Sequence, residues 1–224
     1  MSNSGKLSIV ATPIGNLGDI TLRALETLKN ADAIYSEDTR VIAKLLAKYE
    51  IRKPLHRLDS IKELKRVHEI VERLQAGERL VFVTDAGTPG ISDPGGRLVK
   101  GVREALPEAK IEAIPGPSAL TAALSIAGLD SPEFMFLGFL PHKKGRQTLL
   151  KKIAESEFPV ILYESPHRIL KLLQELGDKK VTIGRELTKV HEEIIFGTAA
   201  EVTQSLKDRD AVRGEFVVIV QPST

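Results

Sequence analysis

The sequence predicts an α/β fold in two domains, a mostly parallel sheet in the N-terminal half and a mixed sheet in the C-terminal half. Three observations carry this. Short apolar runs of strand length alternate with amphipathic helical stretches along most of the 224 residues. Several of those runs lead into segments rich in Gly, Pro or charge, as loops at the carboxyl ends of parallel strands do. In the second half two β-type runs, near Val181 and Ile195, follow in quick succession, which implies an antiparallel element.

The elements follow in order. Leu7 to Ala11 is the first strand, and Asp19 to Lys29 places Ile20, Leu22, Ala24, Leu25 and Leu28 at helical spacing. Ala33-Ile34-Tyr35 is a second strand, followed by a helix through Val41, Ile42, Leu45 and Leu46, and Pro54 to Leu58 is a third strand. Ile61 to Gln75 is an amphipathic helix stopped by Gly77. The strand Leu80 to Val83, the helix Arg97 to Leu106 and the strand Ile111 to Ile114 complete the first half, and a helix Ala119 to Ala127, capped by Ser118, follows. In the second half the strands are Phe134 to Leu140, Val160 to Tyr163, Val181 to Gly184, Glu193 to Phe196 and Phe216 to Val220, with helices at Gln147 to Ile153 and Ile169 to Leu176. The domain junction falls between Pro115 and Pro132, giving domains of 1–117 and 118–224 without a flexible linker.

One loop dominates. Thr84 to Gly95 reads T-D-A-G-T-P-G-I-S-D-P-G, twelve residues after a buried strand, where connections usually run about 2–6 residues. Gly87, Gly90 and Gly95 allow close backbone approach, while Pro89 and Pro94 remove freedom that binding would otherwise have to order. Such a loop suits a ligand gripped by main-chain groups.

Composition excludes much. With no cysteine there is no disulfide, no thiolate nucleophile and no Cys-based metal site, in keeping with a reducing cytoplasm. Nothing in the sequence approaches a membrane span, and the polar start Met1 to Lys6 lacks the apolar core of a leader, so the expectation is a soluble cytoplasmic protein with no membrane partner. A net charge of +2 allows a local basic patch without a strongly basic protein. The phosphate loop G-x-x-x-x-G-K-[ST] is absent, and the first strand leads into P-I-G-N-L-G rather than G-x-G-x-x-G. No two histidines have metal-ligand helical spacing, and no metal is expected. Ser118 lies in G-P-S-A rather than in a hydrolase elbow.

The runs A-T-P-I-G-N-L-G-D-I-T, S-E-D-T-R, T-D-A-G-T-P-G-I-S-D-P-G, P-G-P-S-A, Y-E-S-P-H-R and R-E-L-T-K-x-H-E occur in that order. From about Leu7 to Val220 the chain resembles the bacterial small-subunit ribosomal RNA methyltransferase I family, within the tetrapyrrole-methylase-like (class III) S-adenosylmethionine-dependent methyltransferases. The resemblance implies 2′-O-methylation of a decoding-site cytidine in 16S rRNA within the 30S subunit, two α/β domains with the cofactor S-adenosylmethionine in the cleft between them, no metal, and a homodimer. Family members generally continue into a small C-terminal helical domain; the expectation for a chain stopping at Thr224 is that this domain is absent, which would bear on RNA affinity more than on cofactor binding.

The residues read consistently with that. A cofactor without phosphate needs backbone hydrogen bonds, small-residue clearance and apolar walls. Pro13, Ile14, Gly87, Thr88, Pro89, Ile91, Ser118 and Ala119 supply them, with Asp85 beside them. By motif position the resemblance assigns cofactor contacts to Ile14, Thr88, Ile91, Ser118 and Ala119, and to Tyr163, Leu187 and Glu215 in the second domain. For Ile14 and Ile91 the plain alternative is core packing. Methyl transfer also needs an oriented hydroxyl and a base. The rim candidates are Glu37, Asp38, Asp85, Glu164, Glu186 and Lys189, and of these Glu37, Glu186 and Lys189, with Arg185, form the catalytic set. Asp38 reads rather as a helix cap. For RNA, His142-Lys143-Lys144-Gly145-Arg146 is the densest basic loop, which Arg40, Arg168 and Arg185 could extend, and the substrate contacts are taken as Arg40, Lys143, Lys144, Arg146 and Arg168. Two other functions stay open: C-methylation of a tetrapyrrole in corrin or siroheme synthesis, and a non-catalytic RNA-binding module.

Overall fold

A computed structural model of the chain describes residues 5–58, 63–85, 87–93 and 95–222, without the side chains of residues 63–65. The expected helix start at Ile61, and Ala86 and Pro94 of the long loop, lie outside the described residues. The chain divides into two compact units, residues 1–118 and 119–224.

The first unit is built from β1 (Lys6–Val10), α1 (Leu22–Asn30), β2 (Ala33–Ser36), α2 (Thr39–Lys48), β3 (Leu55–Arg57), α3 (Glu63–Gln75), β4 (Arg79–Val83), α4 (Gly95–Ala105) and β5 (Lys110–Ile114). Its five strands lie in the order β3-β2-β4-β1-β5, and every pairing is parallel. Both sheet faces are buried, which explains why β2 and β4 read as nearly unbroken apolar runs. Tyr35, Leu80 and Phe82 face α3 and α4 through Ile70, Leu74, Leu98 and Val102. Ile34, Val81 and Val83 face α1 and α2 through Ala24, Leu28, Ile42 and Leu45. The first helix begins later than its hydrophobic pattern suggests, because a single 3-10 turn occupies Leu17–Asp19 and the Thr21 hydroxyl accepts the Ala24 N–H as the helix cap.

The second unit holds α5 (Ala119–Ile126), β6 (Met135–Phe139), α6 (Arg146–Ala154), β7 (Val160–Glu164), α7 (Ile169–Leu176), β8 (Lys180–Arg185), β9 (Glu193–Thr198), α8 (Ala199–Asp208) and β10 (Phe216–Val220). Strand order is β6-β7-β10-β8-β9: β6 and β7 are parallel, β10 is antiparallel to both neighbours, and β9 is antiparallel to β8. The sheet is mixed, as expected, and β6, β7 and β8 run in one direction. Their carboxyl ends, and the start of β10, therefore share one rim. The core packs Leu162, Ile183 and Val218 under Ile153, Leu172, Val202 and Leu206 of α6, α7 and α8. Helix α8 has no counterpart in the sequence reading. It follows β9 without an interruption, and its signal is the capping box formed by Thr198 and Glu201.

Candidate active site

Parallel strands deliver the loops of the first unit to one rim. After β1 the chain turns at Thr12 and pairs with the long loop, Thr12 N–H donating to Gly87 O (3.0 Å) and Gly87 N–H to Thr12 O (3.1 Å). The Thr12 hydroxyl donates to Thr84 O (3.1 Å). The loop after β5 joins them, because the Thr88 hydroxyl donates to Pro117 O (3.0 Å). Gly87 has φ +84°, and a Cβ there would stand 3.0 Å from Ile14 Cγ2, 3.3 Å from Pro117 O and 3.7 Å from Ser118 Cα. Ile14, Gly87, Thr88 and Ser118, drawn from three loops, thus come together. Pro13 and Pro89 are buried beside them and Ile91 is half-buried. The long loop is folded on itself by Asp93, whose carboxylate accepts the Gly90 N–H (2.8 Å) and the Gly95 N–H (2.7 Å).

Beyond β2 stands a group of acids. Asp85 accepts the Asp38 N–H (3.1 Å). Burial, and the nearby Asp85 and Asp93, push the Glu37 carboxyl above its ordinary range, and burial also raises Asp85. Asp38 takes the capping role, accepting the Arg40 N–H (2.9 Å), and its carboxyl is held well below its ordinary range by the Arg40 side chain and amide. Arg40 itself is exposed.

In the second unit the turn after β8 is tied to the start of β10. Glu186 (φ +50°) and Thr188 (φ +66°) both adopt the left-handed conformation that non-glycine residues rarely take. Glu186 Oε1 accepts the Glu215 N–H (2.9 Å), and Lys189 Nζ donates to Glu186 Oε1 and Glu215 Oε2, both at 2.8 Å. Burial works against the Glu186 charge, but the Lys189 and Glu215 hydrogen bonds outweigh it and hold the carboxyl below its ordinary value. Burial likewise opposes the Lys189 charge, and its two carboxylate partners outweigh it and raise the ammonium pKa. Arg185 donates to Glu193 (2.8 Å) and Arg213 O (2.8 Å), so it holds neighbouring backbone and carboxylate in place. Leu187 is buried. On the β7 side the Leu120 N–H donates to the Tyr163 hydroxyl (3.1 Å), and Phe136 and Phe139 stand edge-on to the Tyr163 ring. Ala119, the first residue of α5, is half-buried.

Two of the expected RNA contacts, Arg146 and Arg168, are engaged within the unit. Arg146 is 4% exposed; it donates to Glu175 through two nitrogens (2.5 and 3.0 Å) and to Pro141 O (3.2 Å). Its guanidinium is consumed inside the unit, because α6 starts at this residue and turns it inward. Arg168 pairs with the buried Glu164 (3.3 Å) and donates to Leu140 O. Lys143 and Lys144 are exposed. The sequence reading missed Thr12, Asp93 and Gly214. A Cβ on Gly214 (φ +99°) would stand 2.5 Å from Glu186 Cγ, so only glycine leaves room for that carboxylate. Its one signal is a Gly placed just before the last strand.

Comparison with known proteins settles the lineage. The profile of the Tetrapyrrole (Corrin/Porphyrin) Methylases matches residues 6–203. The chain belongs to the tetrapyrrole methylase family. Among its relatives is the ribosomal RNA small subunit methyltransferase I of Thermotoga maritima, 42% identical over 96% of this chain and 98% of that protein. The protein of that name from Xylella fastidiosa is 45% identical over 99% of this chain and 83% of its own length. By these relatives the chain lies in the small-subunit ribosomal RNA methyltransferase I branch of the tetrapyrrole methylases. Solved structures agree on the fold. Diphthine synthase superposes with a TM-score of 0.77 at 16% identity, covering 99% of this chain and 91% of that one. A cobalt precorrin-4 methyltransferase does so with a TM-score of 0.69 at 19% identity, covering 97% and 95%. The two-sheet α/β fold of this chain is thus shared with enzymes of the tetrapyrrole methylase type. Among the described residues no group of three or more His, Asp or Glu could hold a metal ion, and no helix is long and apolar enough to cross a membrane.

Proposed function

We propose that this chain transfers a methyl group from S-adenosylmethionine to the ribose 2′-hydroxyl of a decoding-site cytidine in 16S rRNA, acting on the 30S subunit as a cytoplasmic homodimer without a metal. The observation that carries this reading is near-full-length likeness, at 41–45% identity, to proteins named ribosomal RNA small subunit methyltransferase I. The precorrin-type structures share 14–22% identity, which speaks for fold alone.

The first-unit rim fits the cofactor. The Thr12–Gly87 bridge, the close approach of Gly87 to Ile14 and Pro117 that only a missing side chain permits, and the buried Pro13 and Pro89 give this rim the main-chain groups and apolar wall that such a cofactor needs. When bound, S-adenosylmethionine supplies a methyl carbon already activated by positive sulfur. The protein's own work is to hold a hydroxyl in line with that carbon and to receive its proton. Glu37 is assigned the proton, because a carboxyl raised by burial and by Asp85 and Asp93 is a better acceptor near neutral pH than an ordinary one. Glu186 and Lys189 are assigned the orientation of the ribose, and Arg185 the support of their turn. Pro13, Ile14, Asp85, Gly87, Thr88, Pro89, Ile91, Ser118, Ala119, Tyr163, Leu187 and Glu215 remain the proposed cofactor contacts. Arg40, Lys143 and Lys144 are the proposed RNA contacts.

Calorimetry with S-adenosylmethionine, then methyl transfer from labelled cofactor to 30S subunits lacking the modification, tests the reading. Label in 16S rRNA is the expected result. Transfer to a porphyrinogen control instead would move the chain to tetrapyrrole methylation, and absence of cofactor binding would leave only an RNA-binding module.

A further inference from the structure

Helix α2 carries no acidic residue, and its exposed face repeats Arg40, Lys44 and Lys48 four residues apart. On a helix rising 1.5 Å per residue those cations stand about 6 Å from one another in a single row. The opposite face, Ile42, Leu45 and Leu46, packs into the core, so the row is fixed outward. The chain then continues through Arg52 and Lys53 toward β3. Residues 39–57 hold six Lys and Arg against one acid, Glu50, a surplus of five in a chain whose whole surplus is two; the remainder of the sequence is net acidic.

Like charges four apart repel along a helix, whereas elsewhere this protein sets a carboxylate four residues after a lysine, as in Lys100–Glu104 and Lys151–Glu155. Among the described residues Lys44, Lys48, Arg52 and Lys53 are paired with no carboxylate. Beside the row lies an open depression of about 770 Å³, lined by Ala43, Leu46, Ala47 and Leu55 together with Arg52, Lys53 and the single acid Glu50. Lys44, Lys48, Arg52 and Lys53, none of them paired with a carboxylate among the described residues, beside a depression with apolar Ala43, Leu46, Ala47 and Leu55 in its lining, match a polyanion that carries flat apolar groups along its backbone. Its position fits as well: α2 starts at the strand-end rim, directly after Glu37 and Asp38, and leads away from it.

We infer that the α2–β3 face is a second RNA-binding surface, on which the phosphates of the strand flanking the reacting nucleotide lie along Lys44, Lys48, Arg52 and Lys53. This rests on the reading that RNA is the substrate. The surface reads no sequence; it fixes the direction in which the RNA leaves the rim.

The test uses the full chain with Lys44→Gln, Lys48→Gln, Arg52→Gln and Lys53→Gln combined, and the pair Lys44→Gln and Lys48→Gln as a milder version. Binding to naked 16S rRNA and to unmodified 30S subunits is measured across a salt series. The expected result is a flatter dependence of log affinity on log salt, by roughly 0.7 per lost contact on unpaired strand and about 2–3 for all four. KM for 30S subunits should rise by about tenfold or more, while affinity for S-adenosylmethionine and the melting midpoint hold. Replacing Lys44 and Lys48 by Arg should retain binding. An unchanged salt slope and KM would overturn the inference, most clearly if neutralising Lys143 and Lys144 flattens the slope in the same assay. A loss on 30S subunits but not on naked rRNA would also overturn it, pointing to an acidic protein partner. A wild-type chain that neither binds nor methylates RNA would overturn the underlying reading along with it.

Discussion

Thr12 and Gly87 exchange both backbone hydrogen bonds, at 3.0 and 3.1 Å, and so join the loop after the first strand to the long loop after the fourth. Any side chain at Gly87 enters the space against Ile14 and Pro117 in a conformation, φ +84°, that disfavours a Cβ. Gly87→Val should lower S-adenosylmethionine affinity by about tenfold or more, roughly 1.4 kcal/mol, in a protein that still folds. Calorimetry reads this, and normal binding would remove Gly87 from the cofactor cradle.

Arg146→Ala should cost stability and not RNA recognition as such. The change strands Glu175 and leaves Pro141 O without its donor. Breaking a buried pair from one side costs about 3–5 kcal/mol, so the urea midpoint should fall sharply. The salt slope of RNA binding, measured where the variant is folded, should stay at the wild-type value, whereas neutralising the exposed Lys143 and Lys144 should flatten it by up to about 0.9 per contact. A stable Arg146→Ala protein with a flattened slope would restore Arg146 to the RNA surface.

Glu37 sets a pH dependence of definite sign. Its folded carboxyl is raised above its ordinary value, so the folded state binds the proton more tightly than the unfolded chain. The stability this confers is complete below the unfolded pKa and is lost as pH rises through the folded pKa. Glu37→Gln should therefore gain stability relative to wild type as pH climbs through that interval, read by melting at a series of pH values. In kinetics, kcat/KM should rise with pH through a group above the ordinary Glu range, and the Gln variant should lose that limb. A limb that survives in Glu37→Gln would pass the proton-accepting role to another residue.

Gly214→Ala tests the Glu186 turn. Its methyl would fall 2.5 Å from Glu186 Cγ, with a backbone φ of +99°. The backbone alone should cost about 1–2 kcal/mol. If Glu186 orients the ribose, its displacement should lower turnover at saturating RNA by about tenfold to a hundredfold, with cofactor affinity changed far less. Unaltered turnover would make the turn a structural device only.

The fold was largely legible because its cues are local. Ile169–Leu176 and Phe216–Val220 emerge with the bounds that their patterns imply. Ala199–Asp208 was not, since a short helix entered straight from a strand offers only its capping box as a marker. The candidate site was legible as a set of loops but not as a set of partners. His142 to Arg146 reads as one basic loop, yet the partner that turns Arg146 inward lies 29 residues away. Glu186 and Lys189 read as free charges at a strand end, yet Glu215 and Gly214, nearly thirty residues on, hold them. Pairings across such distances depend on strand order, and β10 inserted between β7 and β8 is not written in any local pattern.

The position of the transferred methyl is the most direct measure of the whole account. Unmodified 30S subunits are incubated with labelled S-adenosylmethionine and the protein, and the 16S rRNA is digested with alkali and separately with nuclease. The expected result is label in a single alkali-resistant dinucleotide whose 5′ member is 2′-O-methylcytidine, lost in Gly87→Val at limiting cofactor. Label on a base, at many sites, or absent from rRNA altogether would contradict it.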